Sequence, residues 1–296
     1  MTNEKEYISY LQNQFTKDNQ VMRHVRTMWN FNDWLIANQI SDLIRITNSE
    51  IMKYLDYMEA KNIKVSTVNV RLNSIRKYFD CMIELGYITK NPAKNIEVGR
   101  KLQKVVESPL DASTLDNLYQ SFETYLDQRP KLYNIGAKQF ELVNQRFKLI
   151  TSIMIYQGLD TGELDKLHVV DLDMKKGTIY VSGKGRRNPR VLKLETFQIL
   201  PMIQYLQSLP PTQEKLFDMK VQNSMYYILS YLKGFEPLVK NAEHIRQSRI
   251  MIWVSTMNIR EAQYNIGHRY VSSTESYAQQ NTKELVDEIN SIHLFR

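Results

Sequence analysis

The sequence predicts a mainly α-helical protein with a small antiparallel β-sheet, divided into two domains. Three observations predict it. Apolar residues recur at spacings of three and four through most of the chain, the period of amphipathic helices. Between residues 178 and 194 the period changes to short β-branched runs on either side of a glycine-bearing turn. Near residue 100 both patterns lapse into a basic stretch that ends in Ser108-Pro109, a dipeptide that favours extended chain. A length of 296 residues suits about two domains. With 43% hydrophobic and 24% charged residues, and only 10 Gly and 8 Pro, the chain can bury real cores and is not loop-rich.

Residues 7–15 and 21–37 read as helices, with Met22, Val25, Met28, Trp29 and Leu35 as a core stripe. Arg23, Arg26 and Asn30 fall on another face of the second helix. Thr47 or Asn48, with Glu50 in the first turn, marks the start of a third helix carrying Ile51, Tyr54, Leu55 and Met58. Ser66 or Thr67 is the expected cap of a fourth, whose Val68, Leu72, Ile75, Phe79 and Met82 face the core. Its opposite face offers Lys64, Thr67, Arg71 and Ser74, and Gly86 and Asn91-Pro92 end it. Residues 1–97 are therefore a helical bundle with a basic, hydroxyl-bearing side suited to phosphate contacts. The lone Cys81 sits in an apolar helical pattern and reads as a buried thiol.

Residues 98–110, including Arg100 and Lys101, read as an exposed basic linker. The second domain spans 111–281. It opens with helices at 114–126 and 137–157, the latter closed by Gly158. Thr178–Val181 and Arg190–Leu194 are strands joined by a turn that holds Lys184, Arg186 and Arg187, and His168–Val170 is the candidate third strand. Helices follow at 195–208, 221–233, 242–256 and 259–265, then a segment at 272–279 with Tyr277. A tail, 282–296, carries Leu285, Ile289 and Ile292 on one side of a last helix.

The formal charge is +7, and residues 1–104 hold 16 Lys/Arg against 11 Asp/Glu. A basic balance concentrated in the first third favours a polyanionic partner, nucleic acid above all. No run of 18 apolar residues suggests a membrane span, and the N-terminus lacks the basic-then-apolar form of a secretion signal, so a cytoplasmic protein is expected. Five histidines without ligand spacing and one cysteine predict no metal site, and Gly183-Lys184-Gly185 lacks the spacing of a nucleotide-binding loop; no cofactor is expected.

One C-terminal constellation suggests chemistry: Arg246, Gly267-His268 and Tyr277. Arginine binds two phosphate oxygens with its fork of donors, histidine a third, and a tyrosine hydroxyl is a candidate nucleophile. Three ordinary helix residues is the competing interpretation.

The motifs "GLDTGELDKLHVVDLD", "GKGRRNPRVLKL", "EHIRQSR" and "IGHRYVSSTESY", after a helical module ending in "STVNVRLNSIRKYFDCMIELGYITKNPAKNI", resemble the tyrosine recombinase (phage integrase) family in order and spacing. The resemblance covers about Tyr7 to Tyr277. It implies a helical SAM-like core-binding domain plus an α+β catalytic-type domain, together clamping double-stranded DNA. By that resemblance the phosphate-binding arginine falls on Arg246, the later His/Trp position on His268, the nucleophile on Tyr277 and the β-turn lysine on Lys184. DNA contacts are then expected from Arg23, Arg26, Lys64, Arg71, Arg100, Lys101, Lys184, Arg186, Arg187, Arg246 and His268. The resemblance also suggests self-association through the 282–296 tail, with packing of Leu285, Ile289 and Ile292 back on the same domain as the alternative.

Two positions depart from the family pattern. Asp160 stands where its first arginine belongs. Glu243 stands where the histidine of "HxxR" belongs, with His244 beside it as an alternative register. The transition state of phosphoryl transfer carries excess negative charge, so the site must supply cations. At about 4 Å and an effective dielectric near 20, one charge pair is worth up to roughly 4 kcal/mol. An anion at residue 160 therefore predicts a disabled site unless a neighbour such as Arg146 substitutes. The leading expectation is a DNA-binding repressor of a prophage or mobile element, similar to the integrase-fold repressors of SPβ-type prophages of Bacillus. The alternatives are an active site-specific recombinase using Tyr277, and a scaffold that partners a true recombinase.

Overall fold

The computed structural model describes residues 3–40, 46–99, 106–130, 136–183 and 187–280. The chain forms two compact units, Met1–Leu102 and Gln103–Arg296. In the first unit lie helices α1 (Glu4–Gln14), α2 (Asp18–Ala37), α3 (Asn48–Ala60) and α4 (Val65–Glu84). Their apolar faces meet in one core containing Val25, Met28, Phe31, Leu35, Tyr54, Leu72 and Phe79. Thr47 caps α3 in a reciprocal box with Glu50, as its sequence suggests. Cys81 is buried, and burial pushes its thiol up to about 11, so it stays protonated.

Three sequence expectations fail in this unit. Trp29 stands 38% exposed with its indole nitrogen on Glu4, and Phe31 and Trp34 fill the core instead. The helical period carries Trp29 one step off the buried stripe. The fourth helix begins at Val65, before Ser66 and Thr67, and Lys64 precedes it without a side-chain cap. Ser74 is fully buried, pairing with His24 Nδ1 at 2.8 Å, and so is absent from the polar face.

The second unit contains α5 (Ala112–Gln128), α6 (Ala137–Tyr156), the single turn α7 (Thr161–Leu164), and strands β1 (Leu172–Asp173), β2 (Thr178–Val181) and β3 (Arg190–Lys193). Helices α8 (Thr196–Ser208), α9 (Val221–Phe235), α10 (Ala242–Thr256) and α11 (Ile259–Ile266) follow, then α12 over residues 272–280. The sheet is antiparallel in the order β1-β2-β3. The third strand is Leu172–Asp173 rather than His168–Val170. Val169–Asp171 closes a 3₁₀ turn, because the Asp171 carboxylate accepts the His168 amide at 2.8 Å and bends the chain there.

Seven consecutive residues of α6, Leu149 to Ile155, are buried, which makes it the central helix of this unit. Its end therefore delivers Gly158–Asp160 from a rigid element. A smaller apolar cluster joins Val106, Ile250, Met251, Trp253, Ala262, Ile266 and Tyr277. Among the described residues no helix is long and apolar enough to cross a membrane.

Candidate functional site

The residues that the sequence pairs across 117 positions, from Asp160 to Tyr277, meet at the end of α6. Gly158 leaves that helix with φ +61, and an added Cβ would lie 2.9 Å from the Trp253 ring. Its carbonyl accepts Arg246 Nε at 2.8 Å. Arg246 projects from α10, which starts where the Asn241 side chain accepts the His244 amide at 2.9 Å. A second donor, Arg246 Nη2, reaches the carbonyl of Ile266 at 3.2 Å, at the end of α11. This buried guanidinium thus ties two chain turns together. Burial and the nearby Arg187 lower its pKa, against the opposing fields of Glu163, Glu243 and Asp160.

Asp160 opens α7. Its carboxylate accepts the Glu163 amide at 2.7 Å, and Glu163 Oε2 accepts the Asp160 amide at 3.2 Å, a capping box. The remaining faces of both carboxylates take one arginine from the β2–β3 connection and one from β3. Arg187 Nη1 pairs with Asp160 and lies 2.9 Å from Glu163 Oε2. Arg190 Nη1 lies 2.8 Å from Glu163 Oε1. Burial works to raise the pKa of Glu163, but the Arg190 hydrogen bond and the charges of Arg190, Arg187 and Arg246 outweigh it and hold the carboxyl at about 2.

The turn after α11 locks this arrangement. Gly267 adopts φ +79, and a Cβ there would stand 2.5 Å from Arg190 Nη1, so only glycine admits the buried arginine. The Asn188 amide donates to the Gly267 carbonyl at 2.9 Å, and Arg187 bridges antiparallel to His268. His268 Nδ1 lies 3.0 Å from the Thr274 hydroxyl, and its ring stacks on Tyr277 at 6.1 Å between centroids. Tyr277 is 5% exposed and packs in the small apolar cluster. Burial raises its pKa, and Glu243 adds to the rise, against the lowering fields of Arg246 and Arg187. A lowered pKa is one of the routes by which a phenol is activated, and Tyr277 does not take it.

The structure therefore gathers Asp160, Arg187, Arg246, His268 and Tyr277, and adds Glu163 and Arg190, which sequence reasoning missed. The D-x-x-E spacing of Asp160 and Glu163 announces a capping box. Nothing in the spacing announces that two arginines some 25 residues away will bind the same carboxylates. Arg187 and Arg190 thus pair with Asp160 and Glu163, while the hydrogen bonds described for Arg246 run to backbone carbonyls.

Several expectations go elsewhere. Arg146 does not substitute for the missing cation. It is buried against Asp218, and Arg187 stands beside Asp160 instead. His244 does not take up the place of Glu243, for its Nε2 faces the carbonyls of Glu107 at 3.2 Å and Ser108 at 3.1 Å. Glu243 is exposed and accepts from Gln247 at 3.1 Å. Arg249 donates to the Ile155 carbonyl at 2.6 Å and lies over the Tyr156 ring. Lys184, Arg186, Arg100 and Lys101, and the tail 282–296 with Leu285, Ile289 and Ile292, lie outside the described residues. In the first unit Arg23, Arg26, Asn30 and Lys64 are exposed. Arg71 is half-buried and lines a groove with Asn30 and Tyr57.

Residues 5–85 match the phage integrase, N-terminal SAM-like domain. The chain is 23% identical over 295 residues to tyrosine recombinase XerD of Rickettsia prowazekii (strain Madrid E), covering 90% of this chain and 88% of that one. It is 25% identical over 244 residues to tyrosine recombinase XerC of Vibrio vulnificus (strain YJ016), covering 79% and 72%. Among solved structures it resembles the XerH site-specific recombinase bound to palindromic difH substrate, with a TM-score of 0.68, 17% identity, and 91% and 79% coverage. It also resembles the Tn1549 transposon integrase in complex with a circular intermediate DNA, with a TM-score of 0.63, 16% identity, and 94% and 95% coverage. The chain is thus similar over most of its length to tyrosine recombinases, and its helical first unit, three-stranded sheet and gathered Arg246, His268 and Tyr277 agree with that similarity.

Proposed function

We propose that this chain is a sequence-specific, double-stranded-DNA-binding protein that keeps the recombinase fold without strand cleavage, and that it acts as a transcriptional repressor of a prophage or mobile element. The observation that carries this reading is the engagement of Arg187 by Asp160 and Glu163. A phosphate in transfer needs uncommitted positive charge and donors. Here Arg187 enters the site already paired with two carboxylates. The buried Tyr277, with its pKa raised, supports the same conclusion.

The DNA-binding part of the proposal rests on different residues. Arg23, Arg26 and Asn30 form an exposed stripe on α2, and Asn30 shares a groove with Arg71 of α4. Such a stripe contacts phosphates, with specificity coming from neighbouring base contacts. The regulatory role follows from binding without cleavage, and self-association through the 282–296 tail belongs to the same proposal. One observation favours an active recombinase instead: Arg246, His268 and Tyr277 converge, with His268 stacked on Tyr277.

Selection of the bound sequence from a random duplex pool, followed by a gel-shift salt titration, tests the DNA-binding claim. Arg26→Ala and Arg71→Ala should each weaken binding and flatten the log–log salt slope by about 0.9, one phosphate contact each. Unchanged slopes in both would remove α2 and α4 from the interface.

A further inference from the structure

A second cavity lies in the same unit and shares no residue with the cluster at Asp160. It has a volume of about 310 Å3 and lies among the end of α5, the first half of α6 and the start of α9. Its size falls in the range of small-molecule sites. The walls are mainly aromatic and aliphatic, with Phe147, Tyr227 and Tyr231 among them, and two arginines enter it, Arg129 and Arg146.

The arginines are held as receptor groups are held. Arg129 Nε donates to Asn144 Oδ1 at 2.9 Å, and its Nη1 lies 3.3 Å from the Tyr231 hydroxyl. Its guanidinium stands 4.9 Å from the Phe140 ring centroid, 5.8 Å from Phe147 and 5.9 Å from Tyr231. Arg146 is only 2% exposed. One edge pairs with Asp218, while its Nε meets no acceptor among the described residues. A buried donor without an acceptor is costly, and native structures supply one. Both arginine side chains line the cavity, so an anionic group there meets positive charge.

We infer that this cavity binds a small organic acid, an apolar body bearing one carboxylate. The carboxylate meets the arginine wall and the body fills the aromatic remainder. An inorganic phosphate suits it poorly, since most of its oxygens would face apolar walls and lose their hydration. Asp218 already neutralises one arginine, so a single negative charge balances what is left. This inference stands apart from the DNA-binding proposal, because neither uses the other's residues.

The test uses the full chain, with 4-phenylbutyrate as the probe and 4-phenylbutan-1-ol as its uncharged counterpart, followed by saturation-transfer NMR and thermal melting. The acid should bind saturably, about tenfold or more tighter than the alcohol, the effect of one charge-assisted contact. Tyr227→Ala, at a residue 56% exposed, removes a wall without disturbing the core and should weaken the acid about tenfold. Ser224→Phe, which fills the cavity, should abolish binding while its ligand-free melt reports on folding. Equal binding of acid and alcohol, no saturable binding of the acid, or an affinity unchanged in Tyr227→Ala would overturn the inference.

Discussion

Glu163→Gln should destabilise the second unit by about 3–5 kcal/mol, the cost of breaking a buried ion pair from one side. Gln keeps the shape of the side chain, so the loss reports charge rather than packing. Arg190 has no exposed side-chain surface and its first partner is Glu163, 2.8 Å away. Its Nε and Nη2 have no other hydrogen-bond partner among the described residues. Gly267 closes over the guanidinium, so the charge cannot swing out to water. Native-state hydrogen exchange of the α10 amides measures the effect within the second unit alone. A loss below about 1 kcal/mol would place the pair in the class of solvent-screened bridges and refute its structural role.

The same carboxylate gives the second unit its acid sensitivity. The folded pKa of Glu163 is depressed from 4.5 to about 2. Its contribution is therefore complete above pH 4.5 and is lost as pH falls toward 2. His24, buried in the first unit, behaves differently. Burial lowers its pKa from 6.5 to about 4, so the unfolded chain takes up a proton first and stability declines between those values. The first unit should weaken at milder acidity than the second.

Asp160→Asn is expected to tighten DNA binding by roughly tenfold and to steepen the salt slope by about 0.9, the signature of one additional phosphate contact. Asn retains the N-cap, since its side-chain oxygen can still accept the Glu163 amide. It removes one of the two carboxylates that hold Arg187. The arginine, 28% exposed in its side chain, then has a share of its charge to offer a phosphate. An unchanged affinity would mean that no phosphate approaches residue 160. Stronger binding at an unchanged salt slope would point to a conformational effect instead.

The helices were legible because each buries one stripe, and the 3.6-residue period writes that stripe into the sequence. Thr47 with Glu50 shows the same for a cap, which needs only local spacing. Trp29 was misread because a periodicity argument ranks residues by polarity and cannot tell which side of an apolar stripe is covered. His168–Val170 was misread because its β-branched pair resembles a strand, while the Asp171 carboxylate bends the backbone there. The convergence of Arg246, His268 and Tyr277 was legible through family resemblance. The counter-charges were not, for Arg187 and Arg190 reach Asp160 and Glu163 only once β3 lies beside the end of α11. The loss of the first arginine read as a simple deficit of charge. In its place the fold pairs Arg187 with Asp160 and Glu163, and Arg190 with Glu163, so residue 160 changes the partners of its neighbours as well as the charge.

The proposed function is DNA binding by the whole chain without strand cleavage at Tyr277. The most direct measurement offers the protein its selected duplex with a nick placed to trap any covalent intermediate, and resolves the products under denaturing conditions. The expected result is a specific gel shift that Tyr277→Phe leaves intact, and no protein–DNA adduct. An adduct that forms with the native chain and disappears in Tyr277→Phe would contradict it.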